Sequence, residues 1–433
     1  MIDTAPGRKQ TFLGKMGSVW KSVGPGFITG AADDDPSGIA TYSQTGALFG
    51  YSQLWTALFS LPFMIAVQEM CGRIGMVTGK GLSQIIREEY SKKLLFFAVL
   101  LLLVANTINI GADLGAMAAA TQLLVPGAPF VLLLVVITLF TLLLEIFVSY
   151  KNYSKFLKYL TLSLLAYVAT AFVVHQDWLS VLHSTLVPHI AFTQDYLMNI
   201  AAILGTTISP YLFFWQTDEE VEEEVESGKL LDMNDPKQPE VSQADIVGMQ
   251  RDTATGMLFS QIVMFFIILS VAATLAGGSS HTIATAADAA EALRPVAGNF
   301  AFLLFTLGIL GTGLLAVPVL AGSAGYAVAE AFGWKEGLGE KFKNAHGFYG
   351  IIALATLVGF FVNFTDIGAM TMLYYAAILN GLLAPPLIII ILYIGNNKKI
   401  LGEHTNSKRS NVLGVVIAAV MGMIALALLW SLI

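Results

Sequence analysis

The stretch Gly30-Ala-Ala-Asp33-Asp34-Asp35-Pro36-Ser37-Gly38 interrupts what would otherwise be one apolar helix from about residue 23 to 49. Such a helix would be long enough to cross a bilayer, which takes about 20 apolar residues. A carboxylate near the bilayer centre costs at least about 2.5–3.5 kcal/mol, so three in a row must face a wet cavity, a partner or a cation. The proline removes a backbone donor and the serine and glycine after it favour a break, which frees carbonyl oxygens. The stretch therefore predicts a cation site.

Composition places the whole chain in a membrane. Its 433 residues are 56% hydrophobic and 12% charged, and the mean hydropathy is +0.71, values that a soluble domain of this length does not show. The net charge of −7 comes largely from one acidic run at residues 218–226. The expected partners are a cation and the lipid bilayer, with no nucleic acid and no cofactor. The sequence sets no oligomeric state, and a monomer is compatible with it.

Eleven apolar runs have spanning length, and we number them spans 1 to 11. They lie at about residues 23–49, 53–77, 94–124, 128–150, 154–175, 196–217, 252–277, 299–330, 348–364, 367–395 and 411–432. With a cytoplasmic N-terminus, every Lys and Arg except Arg294 falls in a cytoplasmic segment. The positive-inside rule therefore predicts a cell-membrane protein whose N-terminus is cytoplasmic and whose C-terminus is outside.

The connections carry their own patterns. Residues 81–90 alternate apolar and charged at helical spacing and are too short to span, so they are expected to lie along the inner interface. Residues 281–296 are expected to form a second short amphipathic helix outside. The acidic run at 218–226 is predicted to extend span 6 into water, because like charges usually solvate. Residues 228–250 are predicted to be a loop.

Span 6 carries a second interruption. It reads Ile203-Leu-Gly-Thr-Thr-Ile-Ser-Pro-Tyr211-Leu-Phe-Phe-Trp-Gln216, with a proline at mid-span. A single proline is tolerated in a membrane helix and would indicate no more than a kink. Two proline-interrupted helices of opposite direction, five spans apart, are typical of an inverted-repeat transporter whose site lies where the broken midpoints meet.

These strings resemble the Nramp family of divalent-metal transporters over nearly the whole chain. The matching strings are Gly24-Pro25-Gly26-Phe27, Asp35-Pro36-Ser37-Gly38, Gln68-Glu69 with Arg73-Ile-Gly75 and Thr78-Gly79, Asp113-Leu114, and Ser209-Pro210-Tyr211. The resemblance implies an all-α, leucine-transporter-type fold with spans 1 and 6 discontinuous. It also implies one transport domain over residues 1–433, with a tail at 1–22, inverted repeats of five helices at 23–175 and 196–395, and an extra helix at 411–432.

The departures from the family pattern fall at positions where the family binds the ion or conducts protons. Gly38 stands where the family has a ligating Asn and Ser209 where it has a ligating Met, while Tyr211 and Gln216 occupy positions of family histidines and Ala116 that of a glutamate in the proton path. This pattern resembles the Nramp-related magnesium transporter branch. Oxygen ligands suit Mg²⁺, whereas a thioether favours softer metals. We therefore expect a secondary transporter of Mg²⁺, and also Mn²⁺, without proton coupling; the alternative is a proton-coupled Mn²⁺ or Fe²⁺ transporter.

Metal ligands are predicted at both breaks. The candidates are Asp35, Ser37, Gly38, Thr206 and Ser209. Thr206 either contributes its carbonyl and hydroxyl or is bonded back to its own helix. The two other aspartates of span 1 are expected to point to different faces of one turn, with one of them reaching the vestibule or a hydroxyl partner.

A second group is predicted to line the pathway or support the ligands. Its members are Asp33, Asp34, Asn109, Asp113, Tyr211, Gln216 and Asn380. In span 3, Asn106 shares one helix face with Asn109 and Asp113, and that face is predicted to point into the bundle. For these three, pore lining and structural hydrogen bonding are both open. The pairing of Glu69 with Arg73 is expected to be structural, and no histidine falls at predicted membrane depth.

A carrier is favoured over an enzyme or a channel. The chain has no His-Glu-x-x-His and no Gly-x-Ser-x-Gly string, so an enzyme is not expected. A channel usually shows repeated pore segments or rings from identical subunits. Two broken helices within one chain indicate alternating access instead.

Overall fold

The computed structural model describes residues 24–148, 161–235, 237–275 and 283–431, and within these ranges the secondary structure is helical. Eight helices in the described part are long and apolar enough to cross a membrane. They are Trp55–Thr78, Lys92–Leu124, Phe130–Phe147, Gln194–Glu226, Gln243–Leu275, Arg294–Phe332, Ala369–Gly395 and Lys408–Trp430. Span 9 is the shorter apolar helix His346–Val362. Span 1 consists of two helices, Pro25–Asp33 and Pro36–Phe49. Span 6 likewise consists of Gln194–Thr207 and Pro210–Glu226, and the main helix of span 8 is Ala301–Phe332.

The structure changes one predicted bound and adds one helix. Span 7 begins at Gln243, so the last residues of the predicted loop at 228–250 are helical. Of span 5, the structure describes the 3₁₀ turn Thr161–Leu164 and the helix Leu165–Val173, and the earlier part of the predicted run lies outside the described residues. The helix Trp178–Leu186, between spans 5 and 6, was not predicted. The predicted tail at 1–22 also lies outside the described residues.

The two predicted amphipathic segments are helical. Residues 81–90 contain the helix Leu82–Glu89. It follows span 2 directly, because Gly79 ends that span in the left-handed conformation with φ 64°, which glycine adopts without strain. The segment 281–296 contains two helices rather than one, Ala286–Glu291 and Arg294–Ala297, and its first two residues lie outside the described part.

The first half of span 1 lies directly against span 7. A Cβ atom on Gly30 would overlap the backbone of Gly256, and one on Gly26 would overlap that of Thr253. The carboxylate of Asp252, on span 7, accepts hydrogen bonds from the N–H of Gly24 at 3.1 Å and of Phe27 at 3.2 Å. Small residues allow two membrane helices to approach this closely. Span 7 therefore holds the half-helix that ends at the acidic stretch.

The first half of span 6 packs in the same way on span 10. A Cβ atom on Gly205 would overlap the carbonyl oxygen of Ala377 and the backbone nitrogen of Gly381. Both broken helices are thus fixed by a glycine contact on one side of the break. Their broken midpoints are free to face each other.

Hydrogen bonds between connections show which span ends share a face of the bundle. Arg73, near the end of span 2, donates to the carbonyl of Thr405 before span 11 at 3.1 Å. Gln44, near the end of span 1, accepts from the N–H of Ile283 before span 8 at 2.7 Å. We call the face with Arg73 and Thr405 the inner face and the face with Gln44 and Ile283 the outer face. This arrangement agrees with the predicted alternation of the spans.

The acidic run extends span 6 to Glu226 as predicted, but the prediction that it is solvated is wrong for three of its members. Asp218, Glu220 and Glu224 are buried, and Glu223 and Glu226 are exposed. Glu220 and Glu224, four residues apart, share a helix face, and so do Glu223 and Glu226, three residues apart. One face of this acidic helix therefore packs inside the protein while the other meets solvent.

Candidate metal site

Span 1 breaks at Asp34 and Asp35. Asp35 is extended, with ψ 171°, as the residue before a proline prefers. It caps the second half of span 1, because its Oδ1 accepts from the N–H of Gly38 at 2.7 Å and from the hydroxyl of Ser37 at 2.6 Å. A carboxylate in this position satisfies free N–H groups and faces the positive end of the helix. The break therefore fixes the carboxylate of Asp35 in a defined place.

Span 3 supplies the other contact of this carboxylate. The side-chain amide of Asn109 donates to Asp35 Oδ2 at 2.9 Å. Asp113, one turn along, is buried, and neither of its carboxylate oxygens has a hydrogen-bond partner among the described residues. Asn106 instead donates to the carbonyl of Leu320 on span 8 at 2.8 Å. On the polar face of span 3, Asn106 is therefore structural, whereas Asn109 and Asp113 lie toward the break in span 1.

Span 6 breaks between Thr207 and Pro210. The hydroxyl of Ser209 lies 2.8 Å from the carbonyl oxygens of both Gly205 and Thr206. A hydroxyl has one proton, so it donates to one of these carbonyls at a time. The hydroxyl of Thr207 bonds back to the carbonyl of Ile203 at 2.9 Å. Of the two neighbouring threonines, Thr207 is therefore the one whose hydroxyl bonds back to its own helix.

The two breaks meet at their hydroxyl groups. The Ser37 and Thr206 hydroxyl oxygens are 3.4 Å apart, and both side chains are 1% exposed, as is Asp35. A Cβ atom on Gly38 would lie 3.3 Å from the Thr206 hydroxyl oxygen. The structure thus brings Asp35, Ser37, Thr206 and the backbone of Gly38 together, with Ser209 on the carbonyl of Thr206. This group presents oxygen atoms and no sulfur.

Asp33 and Asp34 share one neighbour on span 7. The hydroxyl of Ser260 lies 2.6 Å from Asp33 Oδ2 and 3.2 Å from Asp34 Oδ1. The expectation that they point to different faces is wrong, because the helix ends at Asp33 and the chain turns at Asp34. The second oxygen of each carboxylate has no hydrogen-bond partner among the described residues. Sequence reasoning missed Ser260 and Asp252, since a single polar residue in a long helix forms no pattern.

The other predicted residues take different places. The hydroxyl of Tyr211 donates to the carbonyl of Ala32 at 3.1 Å and so joins the two breaks. Gln216 lies farther along span 6 and donates to Glu220 at 2.9 Å. Asn380 is buried in span 10, and its side-chain nitrogen has no partner within the described residues.

The predicted pair of Glu69 and Arg73 is present. The Arg73 Nε atom donates to Glu69 Oε1 at 3.0 Å, and Gln250 and Ser410 also donate to the same carboxylate, at 2.8 Å and 3.3 Å. Both oxygens of this buried carboxylate therefore accept hydrogen bonds. This arrangement is structural, as expected from the four-residue spacing.

Two cavities approach the breaks from opposite faces. The outer cavity, of about 420 Å³, is lined by residues that include Ala40, Gln44 and Asp195. The inner cavity, of about 680 Å³, is lined by residues that include Phe27 and Glu220. Since the ligand candidates between them are almost completely buried, the site is closed to both faces in this conformation.

Charged groups surround the inner end of the bundle. Lys229 lines the inner cavity and its Nζ atom lies 3.1 Å from the carboxylate of Glu224. Burial lowers the pKa of Lys229, but the hydrogen bond and charge of Glu224 outweigh this and raise it above its usual range. Farther along, burial raises the pKa of Glu336 to about 10, and the neighbouring Glu330 carboxylate adds to the increase.

The sequence of this chain matches a protein-family model over almost the full length of the chain. The model of the Nramp family, described as natural resistance-associated macrophage protein-like, matches residues 26–431. The chain belongs to this family. It is similar to the divalent metal cation transporter MntH of Yersinia pestis, with 25% identity over 419 residues, 94% of either chain. It is also similar to MntH of Erwinia tasmaniensis, with 27% identity over 320 residues, 72% of either chain.

Solved structures of Nramp and more distant transporters share the fold. The manganese transporter of Eremococcus coleocola superposes with a TM-score of 0.74 at 16% identity, covering 98% of this chain and 88% of that one. Mhp1, a nucleobase-cation-symport-1 family transporter, superposes with a TM-score of 0.55 at 14% identity, covering 94% and 92%. The predicted leucine-transporter-type fold is confirmed. The chain is a multi-pass membrane transporter, and membership of this family confirms that it is not an enzyme.

Proposed function

We propose that this chain carries divalent metal cations across the membrane as a secondary transporter that works by alternating access. The observation that supports this most directly is that two broken helices meet around the buried carboxylate of Asp35, with the hydroxyls of Ser37 and Thr206 beside it. A carboxylate with hydroxyl and carbonyl oxygens is the donor set that hard divalent cations prefer. The proposed ligands are Asp35, Ser37, Gly38, Thr206 and Ser209, the glycine through its backbone.

The relatives and the donor set favour different ions. The MntH proteins are named divalent metal cation transporters and the Eremococcus protein a manganese transporter, so Mn²⁺ is our first candidate. None of these names specifies magnesium. Mg²⁺ is the second candidate because of one observation: positions 38 and 209 provide neither an amide nor a thioether. An oxygen-only site between small residues leaves room for the water that Mg²⁺ keeps.

For the manganese candidate, the proposed transport is coupled to protons. Asp113 is buried without a partner in the described part, one turn from Asn109, and membrane carboxylates of this kind commonly relay protons. The expectation of uncoupled transport depends on the missing family histidines and on Ala116 in place of the family's glutamate. Without any proton, a membrane potential supplies about 2.3 kcal/mol per elementary charge per 100 mV, and twice that for a divalent cation. Proton-coupled and uncoupled transport are therefore both energetically sufficient, and a measurement of acidification during uptake distinguishes them.

We further propose that the inner face is cytoplasmic. The positive-inside rule supports this, because Lys and Arg are concentrated in the connections predicted for that side. The N-terminus is then cytoplasmic and the C-terminus outside. The division into inverted repeats at 23–175 and 196–395 remains part of this proposal.

Uptake into proteoliposomes tests the proposal. The purified protein is reconstituted with a pH dye inside, and Mn²⁺, Mg²⁺ and Ca²⁺ are added outside under a fixed membrane potential. We expect saturable Mn²⁺ uptake with metal-dependent acidification; Mg²⁺ uptake without acidification would favour the second candidate. Single-channel currents in place of saturable uptake would contradict a carrier.

A further inference from the structure

Two buried carboxylates meet at the inner end of span 6, away from the helix breaks. Asp218 is 0% exposed; its carboxylate lies within hydrogen-bonding distance of the Glu330 carboxylate, and no N–H or O–H group among the described residues donates to it. Glu330, near the end of span 8, is 2% exposed. Its Oε2 accepts from the N–H groups of Ser83 at 3.0 Å and Gln84 at 3.2 Å, while its Oε1 has no partner within the described part. Three oxygens of these two carboxylates therefore have no donor here, and the buried carboxylate of Glu336 lies beside Glu330.

The position of Gly81 shows that these oxygens converge. A Cβ atom on Gly81 would overlap both Glu330 Oε1 and Asp218 Oδ1, so the two oxygen atoms lie next to the same backbone atom. Gly81 directly precedes the helix Leu82–Glu89, whose first N–H groups bind the other oxygen of Glu330. Residues of span 6, of span 8 and of the connection after span 2 thus surround the place where these carboxylate oxygens converge.

Arg87 brings a positive charge near Glu330, but its hydrogen bond and ion pair go to other groups. Arg87 donates to the backbone carbonyl of Glu330, and its guanidinium lies 3.7 Å from the carboxylate of Glu88. Neither contact uses the free oxygens of Asp218 or Glu330. Charged groups that are removed from water lose several kcal/mol of hydration each and require a compensating partner.

We infer that Asp218 and Glu330 form a second divalent-cation site at the inner face, distinct from the site at the breaks. A divalent cation balances the charge of two carboxylates. No group of three or more His, Cys, Asp or Glu side chains in the described residues is arranged to hold a metal, so water completes the coordination of this ion. One or two carboxylates with several waters is the environment in which Mg²⁺ is usually bound.

A cation at this point joins three elements that approach the inner face separately: the second half of span 6, the end of span 8 and the helix Leu82–Glu89. The second half of span 6 also carries Ser209 at its start. The inner site therefore stabilises the closed inner face when the cation concentration on that side is high. This inference rests on the proposed function only for the class of ion.

Counting bound Mn²⁺ on the full-length purified protein tests the inference. Free Mn²⁺ is measured by electron paramagnetic resonance while the metal is titrated into the protein. We expect two equivalents on the wild type, one on Asp35→Asn, and none on a double variant of Asp35→Asn with Glu330→Gln. Glutamine keeps a carbonyl oxygen for the N–H groups of Ser83 and Gln84, so the variant preserves that cap. Mg²⁺ should displace the Mn²⁺ that remains on Asp35→Asn.

Asp218→Asn provides a second variant, with an expected loss of one equivalent. Glu240→Gln is the matched control, because Glu240 is an exposed carboxylate in the connection between spans 6 and 7, and it should bind two equivalents. If Glu330→Gln and Asp218→Asn both bind as much Mn²⁺ as the wild type, the pair shares a proton and the inner site does not exist. If Asp35→Asn keeps both equivalents while Glu330→Gln loses one, the site at the breaks is wrong and the inner site stands.

Discussion

The two helix breaks use the same backbone geometry but differ in charge. In each, the residue before a proline is extended, with ψ 171° at Asp35 and ψ 135° at Ser209, and the proline starts the second half-helix. At span 1 the side chain before the proline is a carboxylate that accepts hydrogen bonds from the new helix. At span 6 it is a hydroxyl that faces the carbonyls of the old helix.

This difference assigns separate tasks to the two breaks. In the proposed site, span 1 contributes the negative charge that attracts a cation, and the amide of Asn109 donates a hydrogen bond to that carboxylate. In the same proposal, span 6 contributes neutral oxygens, so it should affect how much water the ion loses and how soft an ion the site accepts. Changes at span 1 should therefore alter transport as a whole, and changes at span 6 should alter selectivity.

The largest effect is expected for Asp35→Asn. The amide keeps the shape of the side chain but removes the charge at the span 1 break. Removing one partner of a buried charge pair costs about 3–5 kcal/mol, which corresponds to more than about 100-fold in affinity. Mn²⁺ uptake into proteoliposomes should fall to background. Asp366→Asn, an exposed aspartate before span 10, is the matched control, and unchanged uptake by Asp35→Asn would show that span 1 does not supply the charge.

The next effect is on selectivity and is expected for Ser209→Met. The thioether adds a soft ligand where the structure has a hydroxyl, so Cd²⁺ should compete about tenfold better against Mn²⁺, a gain of about 1.4 kcal/mol, and Mg²⁺ uptake should decrease. Ser209→Ala separates the added sulfur from the lost hydroxyl and should not favour Cd²⁺. A wild type that already prefers Cd²⁺ strongly and excludes Mg²⁺ would contradict an oxygen-only site.

The sequence predicts the fold and the location of the candidate site because both depend on local features. Run length and the distribution of Lys and Arg indicate the spans. Prolines after Asp35 and Ser209 indicate the breaks. The predicted ligands therefore meet in the structure: Ser37 faces Thr206 as two broken midpoints should.

The sequence cannot show which neighbour a buried polar residue finds. Asn106 and Asn109 have the same helical face, yet one bonds to Leu320 and the other to Asp35. Periodicity gives the face of a helix but not the helix packed against it. For the same reason the acidic run was predicted to be solvated although Asp218 is buried.

A smaller effect is expected for Thr206→Val, which keeps the shape and the backbone carbonyl but removes the hydroxyl beside Ser37. Losing one hydrogen-bonding group costs about 0.5–1.5 kcal/mol, so the apparent KM for Mn²⁺ should rise by about twofold to tenfold. Thr207→Val is the matched control, because that hydroxyl bonds back to Ile203 and its loss should leave the KM unchanged. An equal KM for both variants would remove the Thr206 hydroxyl from the site and leave only its carbonyl.

The smallest effect on transport is expected for Tyr211→Phe, at the contact that connects the two breaks. The tyrosine hydroxyl of span 6 donates to the carbonyl of Ala32 in span 1 at 3.1 Å, and its backbone carbonyl accepts from the hydroxyl of Ser323 at 3.0 Å, which the substitution preserves. Phenylalanine removes one buried hydrogen bond, so the free energy of unfolding should decrease by about 0.5–1.5 kcal/mol, seen as a lower Tm. The preference among Mn²⁺, Mg²⁺ and Cd²⁺ should not change, because the hydroxyl is committed to a carbonyl outside the ligand group. A changed ion preference at unchanged Tm would instead make Tyr211 a member of the site and would give span 6 a third selectivity residue beside Thr206 and Ser209.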